Sequence, residues 1–312
     1  MDKIDWKILK ELDINPRIPL SKLASIVRVS QQVADYRMKR LIKEGVIVKF
    51  TPTINLKALG LEHYRVFFTF NQKKEFQNES IFAYLNKRRG IYWAARVGGK
   101  YDLLIVLFVR DFEEFDLFMD DFNTHFPGLI KDYKSCYVIE HCVQKHKYLS
   151  SDYSSVHYGY NDKVQMIDEL DKNILMMLKD DCRQSALHLS QGKDVSYKTI
   201  INRIKSLEQR KIILNYRLFM HSAQTKPYVV LFSFKNYATS SEKNVLKYLE
   251  QLDCVTQTVR LFGLWNLFVH VRLEDLEKLQ EMVITLRDKF EIIDNYEIIP
   301  IFQDIAINVY PV

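Results

Sequence analysis

Nine polar side chains on two basic helical stretches are the first chemistry this sequence offers. In "VSQQVADYRMKRLIKEGVI", Val29 to Ile47, a helix capped by Ser30 buries Val33, Ala34, Met38 and Leu41. Gln31, Gln32, Tyr36, Lys39 and Arg40 then face away from that core. In "VSYKTIINRIKSLEQRKII", Val195 to Ile213, Tyr197, Lys198, Asn202 and Lys205 hold the matching outward places. Gln and Asn can pair bidentately with an adenine edge, and Lys can reach guanine or a phosphate. Arg37 and Arg203 stand at the same place in both stretches and either hold a phosphate or brace the fold. A merely solvated face is the alternative for the whole set.

Two further groups of residues could do chemistry. Cys136, His141, Cys142 and His146 are the one tempting metal cluster, but neighbours on a strand point to opposite faces, so His141 and Cys142 cannot share one zinc without a bulge. No metal is expected. Asp102 and Asn266 each follow a glycine turn, where a short polar side chain either caps the turn or meets a small ligand. No Gly-rich phosphate loop and no supported Ser/His/Asp or Cys/His arrangement occurs, so neither catalysis nor a bound cofactor is expected.

The elements that must position these residues come in duplicate. Sliding the chain by 166 residues superposes Asp2 on Asp168, Ile8-Leu9 on Ile174-Leu175, Arg37 on Arg203 and Ile47 on Ile213. At an offset of 164, "RVGGKYDLLIVLFVRD" from Arg96 meets "RLFGLWNLFVHVRLED" from Arg260. One unit of about 150 residues has been doubled in tandem, too long a period for a solenoid. Each unit opens with three short helices, Asp2 capping the first and Pro19 preceding the second, and leaves through "GVIVKFTPTI" into a wing. Period-two patterning then gives βαββαβ, a ferredoxin-like sheet with two helices on one face.

The expected class is α+β, with two winged helix-turn-helix domains (1–60 and 165–225) and two βαββαβ domains (61–148 and 226–312), the two sheets face to face. Residues 149–164, "LSSDYSSVHYGYND" and its neighbours, read as a linker.

Composition agrees with this layout. The 312 residues are 47% hydrophobic, and the net charge of +6 is unevenly placed: residues 1–60 carry +6, residues 165–225 carry +3 and the remainder −3. Basic charge confined to two blocks suits a phosphate-bearing partner, because contact releases condensed counterions. Four cysteines without paired spacing and no long apolar run point to a cytoplasmic protein with free thiols and no membrane partner.

"IDWKILKELDINPRIPLSKLASIVRVSQQVADYRMKRLIKEGVIVKFTPTINLKALG" resembles the DNA-binding half of the Lrp/AsnC (feast/famine) regulators, and "GGKYDLLIVLFVRD" resembles the Gly-x-Tyr-Asp turn of that family's ligand-sensing domain. The resemblance implies a transcription regulator that binds double-stranded DNA through Ser30, Gln31, Gln32, Tyr36, Arg37, Lys39 and Arg40, and through Tyr197, Lys198, Asn202, Arg203 and Lys205. It implies a small effector, such as an amino acid, near Gly99, Tyr101 and Asp102 and near Gly263, Trp265 and Asn266. It also implies pairing of the two units, as a pseudo-dimer within the chain or between two chains.

This sequence departs from the family where its helix-turn-helix glycine is Arg28 in one copy and Asp194 in the other, and where Gly45 is replaced by Lys211 in copy two. Siroheme decarboxylases, also similar to paired Lrp/AsnC units, are the competing class; Arg260, Asn266 and His270 keep that reading open, as an adaptor that binds protein keeps a third.

Overall fold

The computed structural model describes every residue except 72–78, 148, 150–153, 160, 192–194, 222–224, 236–238 and 312; Asp194 lies outside the described residues. The chain forms two compact units, each assembled from both copies of the repeat. One comprises Met1–Asn55, Lys145–Val156 and Met166–Ala223; the other comprises Leu56–Gln144, His157–Gln165 and Gln224–Val312.

In the first unit, α1 (Lys3–Ile14) starts at Asp2, whose carboxylate accepts from the Ile4 and Asp5 amides while Asp5 reaches back to the Asp2 amide. That reciprocal cap satisfies donors the first turn would otherwise leave orphaned. Helix α2 (Leu20–Val27) ends at Arg28, and α3 (Gln31–Lys43) is capped by Ser30. Copy two repeats the set as α6 (Glu169–Leu178), α7 (Ala186–Ser190) and α8 (Tyr197–Gln209).

The wings were read as local to each copy, and here the structure differs. Strand β1 (Ile47–Ile54) finds its partner in β7 (Ile213–Met220), antiparallel, with Phe50 opposite Leu218 and Pro52 opposite Tyr216. Phe50, Leu218 and Met220 enter one core with Ile8, Leu9, Leu12, Leu23 and Leu41. Strands from both copies thus complete the core of the first helix-turn-helix.

The second unit is a closed sheet. Copy one supplies β2 (Glu62–Phe70), β3 (Ile91–Val97), β4 (Leu103–Val109) and β5 (Ile130–Gln144); copy two supplies β8 (Lys226–Phe234), β9 (Val255–Gly263), β10 (Leu267–Leu273) and β11 (Ile293–Ile307). Each copy keeps the ferredoxin-like order, β5-β2-β4-β3 and β11-β8-β10-β9. The expected pair of separate sheets is instead one: β3 bonds to β11 and β5 bonds to β9. A four-stranded sheet exposes unpaired amides at both edges, and closing eight strands on themselves removes all of those edges. Helices α4 (Glu79–Lys87) and α5 (Phe112–His125) cover copy one's outer face, as α9 (Thr239–Leu249) and α10 (Leu276–Lys289) cover copy two's.

Inside the closed sheet, residues of both copies meet, among them Phe67, Leu104 and Cys136 with Val229, Val259 and Phe268. The segment read as a linker also holds a strand, β6 (Ser155–Gly159), lying beside β5. Its Tyr158 is buried and its hydroxyl meets His141 Nδ1 at 2.5 Å, which anchors a stretch too short to show periodicity.

Candidate functional site

The two candidate recognition helices, α3 and α8, begin alike: Ser30 Oγ accepts from the Val33 amide at 3.2 Å and Ser196 Oγ from the Thr199 amide at 3.1 Å. Apolar spacing then seats Ala34 and Leu41 of α3, and Ile200, Ile204 and Leu207 of α8, in their cores. The outward set matches the expectation except at two places: Val33, expected in the core, is exposed because the first turn of α3 lies outside it, and Arg40, expected outward, is half-buried against Asp5. Gln31, Gln32, Tyr36 and Lys39 are exposed on α3, as are Tyr197, Lys198, Asn202 and Lys205 on α8. Val33 and Ile201, also exposed, add apolar surface of the kind that meets a thymine methyl.

The arginines do something else. Arg37 bonds Asp2 at 2.7 Å and Asp5 at 2.9 Å, and Arg40 bonds the buried Asp5 at 2.6 Å. In copy two, Arg203 lies 2.8 Å from Asp168 and 3.4 Å from Asp171, with Arg210 3.5 Å from Asp171. Each reading helix is thereby clamped to the first turn of its partner helix. The Asp5 amide and then Arg37 bring the Asp2 carboxyl down to about 2. Burial raises Asp5, but the Asp2 amide and Arg37 outweigh it and leave Asp5 below the usual range. Arg37, Arg40 and Arg203 therefore carry charge already neutralised within the motif.

The glycine turns are shaped by the opposite copy. Gly99 has φ +83° and a Cβ there would lie 3.2 Å from the Ile298 carbonyl; Gly263 has φ +143° and a Cβ there would lie 3.2 Å from Cys136 Sγ. Asp102 accepts from the Phe70 amide at 2.9 Å and Asn266 from the Phe234 amide at 2.8 Å, so both act as strand caps. Tyr101 and Trp265 are buried together in the inner cluster; burial raises the Tyr101 phenol, and the Trp265 indole beside it pulls the other way.

The four Cys and His residues weighed as a metal cluster do not assemble. Cys136 and His141 point inward, Cys142 lies on the other face, and His146 bonds Asp13 at 2.7 Å. Cys142 instead meets His157 and Glu250, His157 Nε2 lying 3.5 Å from the thiol and 3.7 Å from the carboxylate. Their ligand atoms all fall within 4.8 Å, a set that could hold a metal ion. The hydrogen bond to Cys142, then that to Glu140, pushes the His157 imidazole up to about 10.

Sequence reasoning missed a polar group inside the closed sheet. His63 and Arg65 alternate with Phe67 on β2, so all three face inward. Arg65 is 2% exposed, its guanidinium stacks on Phe268 at 4.4 Å, and its Nε has no partner. His63 stacks on Phe108 at 4.0 Å and lies 5.8 Å from His141, which also contacts Gln257. Burial drives His63 well below its ordinary value and brings Arg65 down to about 10. The signal was present: "HYRVFFTF" puts a charged residue in an otherwise apolar strand.

Residues 1–48 match a family described as winged helix-turn-helix DNA-binding. The HTH-type transcriptional regulator FL11 of Pyrococcus furiosus is 30% identical over 121 residues, which are 38% of this chain and 78% of that regulator. The chain belongs to the Lrp/AsnC-like family of helix-turn-helix regulators. Another family relative, the regulator Ptr1 of Methanocaldococcus jannaschii, is 27% identical over 119 residues, 38% of this chain and 79% of Ptr1.

These relatives span about one Lrp/AsnC-like unit. The whole chain resembles in fold the siroheme decarboxylase NirDL, with a TM-score of 0.65, 15% identity and coverage of 98% of this chain and 93% of NirDL. NirDL in co-complex with an iron-uroporphyrin III analogue gives a TM-score of 0.66 at 14% identity with the same coverage. At that identity the likeness concerns architecture: the tandem Lrp/AsnC-like arrangement. Among the described residues no helix is long and apolar enough to cross a membrane.

Proposed function

We propose that this chain is a sequence-specific regulator of transcription that binds double-stranded DNA through α3 and α8 and responds to a small effector held by the closed sheet. The observation that carries this reading is the β1–β7 ribbon, which joins both helix-turn-helix motifs in one compact unit. A single chain then presents two different polar faces, Gln31-Gln32-Tyr36-Lys39 and Tyr197-Lys198-Asn202-Lys205, as a pseudo-dimer suited to two unlike half-sites. Side chains bonded within the motif position the helices, and the exposed amides, phenols and lysines contact bases and phosphates. The test is selection from a pool of genomic DNA fragments at two salt concentrations, comparing the native chain with Gln31→Ala plus Gln32→Ala and with Tyr197→Ala plus Asn202→Ala. Retention of discrete fragments, lost or altered in the first variant, supports the reading; retention without sequence preference overturns it.

A second reading, an enzyme acting on siroheme, is favoured by one specific observation: Arg65, His63 and His141 are gathered inside a closed sheet in a chain that follows NirDL's architecture over nearly its full length. Anaerobic incubation with siroheme, followed by mass analysis for loss of carbon dioxide, separates it from the first. A mass change abolished by Arg65→Met establishes decarboxylation, and an unchanged tetrapyrrole removes it.

A further inference from the structure

Arg65 poses a problem that the fold alone does not solve. A guanidinium taken out of water must recover its hydration through a counter-charge or hydrogen bonds, and arginine does not escape by losing its proton at neutral pH. Here the side chain is 2% exposed, and its buried Nε has no hydrogen-bond partner among the described residues. What surrounds it is aromatic or weakly polar. Phe268 stacks on one face at 4.4 Å, an arrangement that leaves the in-plane N–H fork directed elsewhere.

His63 Nε2, on the same face of the same strand two residues away, is buried and without a partner among the described residues as well. The wall beyond it is built by Phe108 against His63, by His141, and by Tyr158, whose hydroxyl lies 2.5 Å from His141 Nδ1. Arg65 Nε and His63 Nε2 are thus two unsatisfied buried nitrogens on one inward face, with no carboxylate paired to Arg65 among the described residues, which is the arrangement an anion would satisfy.

We propose that the interior of the closed sheet at Arg65 and His63 binds one carboxylate group of a small ligand. Carboxylate is favoured over phosphate for two reasons on the page. The guanidinium fork matches a planar two-oxygen acceptor, and a single cation beside a neutral His63 balances one negative charge. Phe108 and Phe268 would contact the ligand's carbon skeleton. The site holds whether the chain regulates genes or transforms a tetrapyrrole, so it is tested by binding.

Melting curves and isothermal titration are run on the full chain at constant ionic strength with benzoate, L-leucine, uroporphyrin III or inorganic phosphate, using native protein, Arg65→Met and Arg65→Lys. Removing an uncompensated buried charge makes Arg65→Met melt higher than the native chain without ligand, by several degrees. A saturating carboxylate raises the native melting temperature by about 5 °C or more, with one site per chain. Arg65→Met loses that rise, and Arg65→Lys keeps a weaker one. A response to benzoate or leucine assigns the site to a free small acid, and a response to uroporphyrin III alone assigns it to a tetrapyrrole side chain; either supports the proposal. A response to phosphate alone, no response to any carboxylate, an equal response in Arg65→Met, or Arg65→Met melting below an unresponsive native chain overturns it.

Discussion

The division of labour between lysines and arginines on the reading helices makes a quantitative prediction. Lys39, Lys198 and Lys205 are exposed, whereas Arg37 is held by Asp2 and Asp5 at 2.7 and 2.9 Å. Each phosphate neutralised contributes roughly −0.9 to the slope of log K against log salt. If all three lysines meet phosphates, replacing them with alanine makes the slope less steep by about 2.7. Between 50 and 200 mM salt, the variant then loses about 40-fold less affinity than the native chain. Lys39 lies 2.7 Å from Asp35, but an exposed pair one turn apart is weak, so a phosphate can displace the carboxylate. Arg37→Gln loosens α3 on α1 and lowers stability, yet leaves the slope unchanged. Fluorescence anisotropy with a labelled duplex over a salt series measures both. A slope change below 1 for the triple variant, or of about 0.9 for Arg37→Gln, refutes the assignment of braces and contacts.

Backbone strain gives a second prediction. Arg28 and Lys211 have φ of 60° and 56°, and a left-handed residue with a Cβ costs roughly 1–2 kcal/mol. Part of that gain is offset by glycine's greater unfolded-state freedom, so Arg28→Gly and Lys211→Gly each stabilise by about 0.5–1 kcal/mol in urea unfolding; a loss of stability contradicts the strain. Gly45, with φ +71° and open space around its Cβ direction, predicts the reverse on Gly45→Lys. Gly263→Val should destabilise the closed sheet by about 1–3 kcal/mol, because it adds left-handed strain to contacts at 3.2 Å with Cys136 Sγ and the Ser135 carbonyl; an unchanged urea midpoint denies this close approach. The His157 pKa, raised to about 10 by Cys142 and then Glu140, stabilises the folded state fully below the unfolded value near 6.5 and loses that contribution as pH rises through about 10. Imidazole NMR should find this titration moved down in Cys142→Ala, and a native imidazole titrating near 6.5 removes the claim.

Much of this architecture was legible because its signals are local. Asp2, Ser30, Asp168 and Ser196 cap helices where their types and the apolar spacing that follows demand it. The missing glycine at Arg28 announced a strained turn, and φ 60° is found there. Pairings between copies carry no such mark. A strand's periodicity tells which residues share a face and not which strand bonds to its edge, so β1–β7, β3–β11 and β5–β9 could not be read. The same ignorance hid the interior: Arg65 was visible as a charge within β2, but its inward face became buried only when the sheet closed on itself. Cys142 and His157 meet because the five-residue β6 returns to β5, a step that a Ser- and Tyr-rich segment does not advertise.

Duplication within one chain explains how so asymmetric an interior can exist. A homodimer repeats every residue across its axis, so an inward arginine on β2 would be accompanied by its own copy inside the same closed sheet. The position 164 residues after Arg65 is instead Val229, fully buried in the same inner cluster. Asp102 is likewise matched by Asn266, and the outward residues of α3 differ from those of α8. Covalent linkage keeps the halves paired at any protein concentration, which releases each from matching the other. For the proposed site the consequence is a stoichiometry: one carboxylate per chain, where a pair of identical units would offer two arginines or none. Introducing Val229→Arg makes the two copies alike at this position and places two uncompensated cations in one interior. It should lower the ligand-free melting temperature sharply, with part of the loss recovered at saturating carboxylate. A Val229→Arg chain as stable as the native one would mean that water reaches this interior freely, and that Arg65 needs no anion to be buried there.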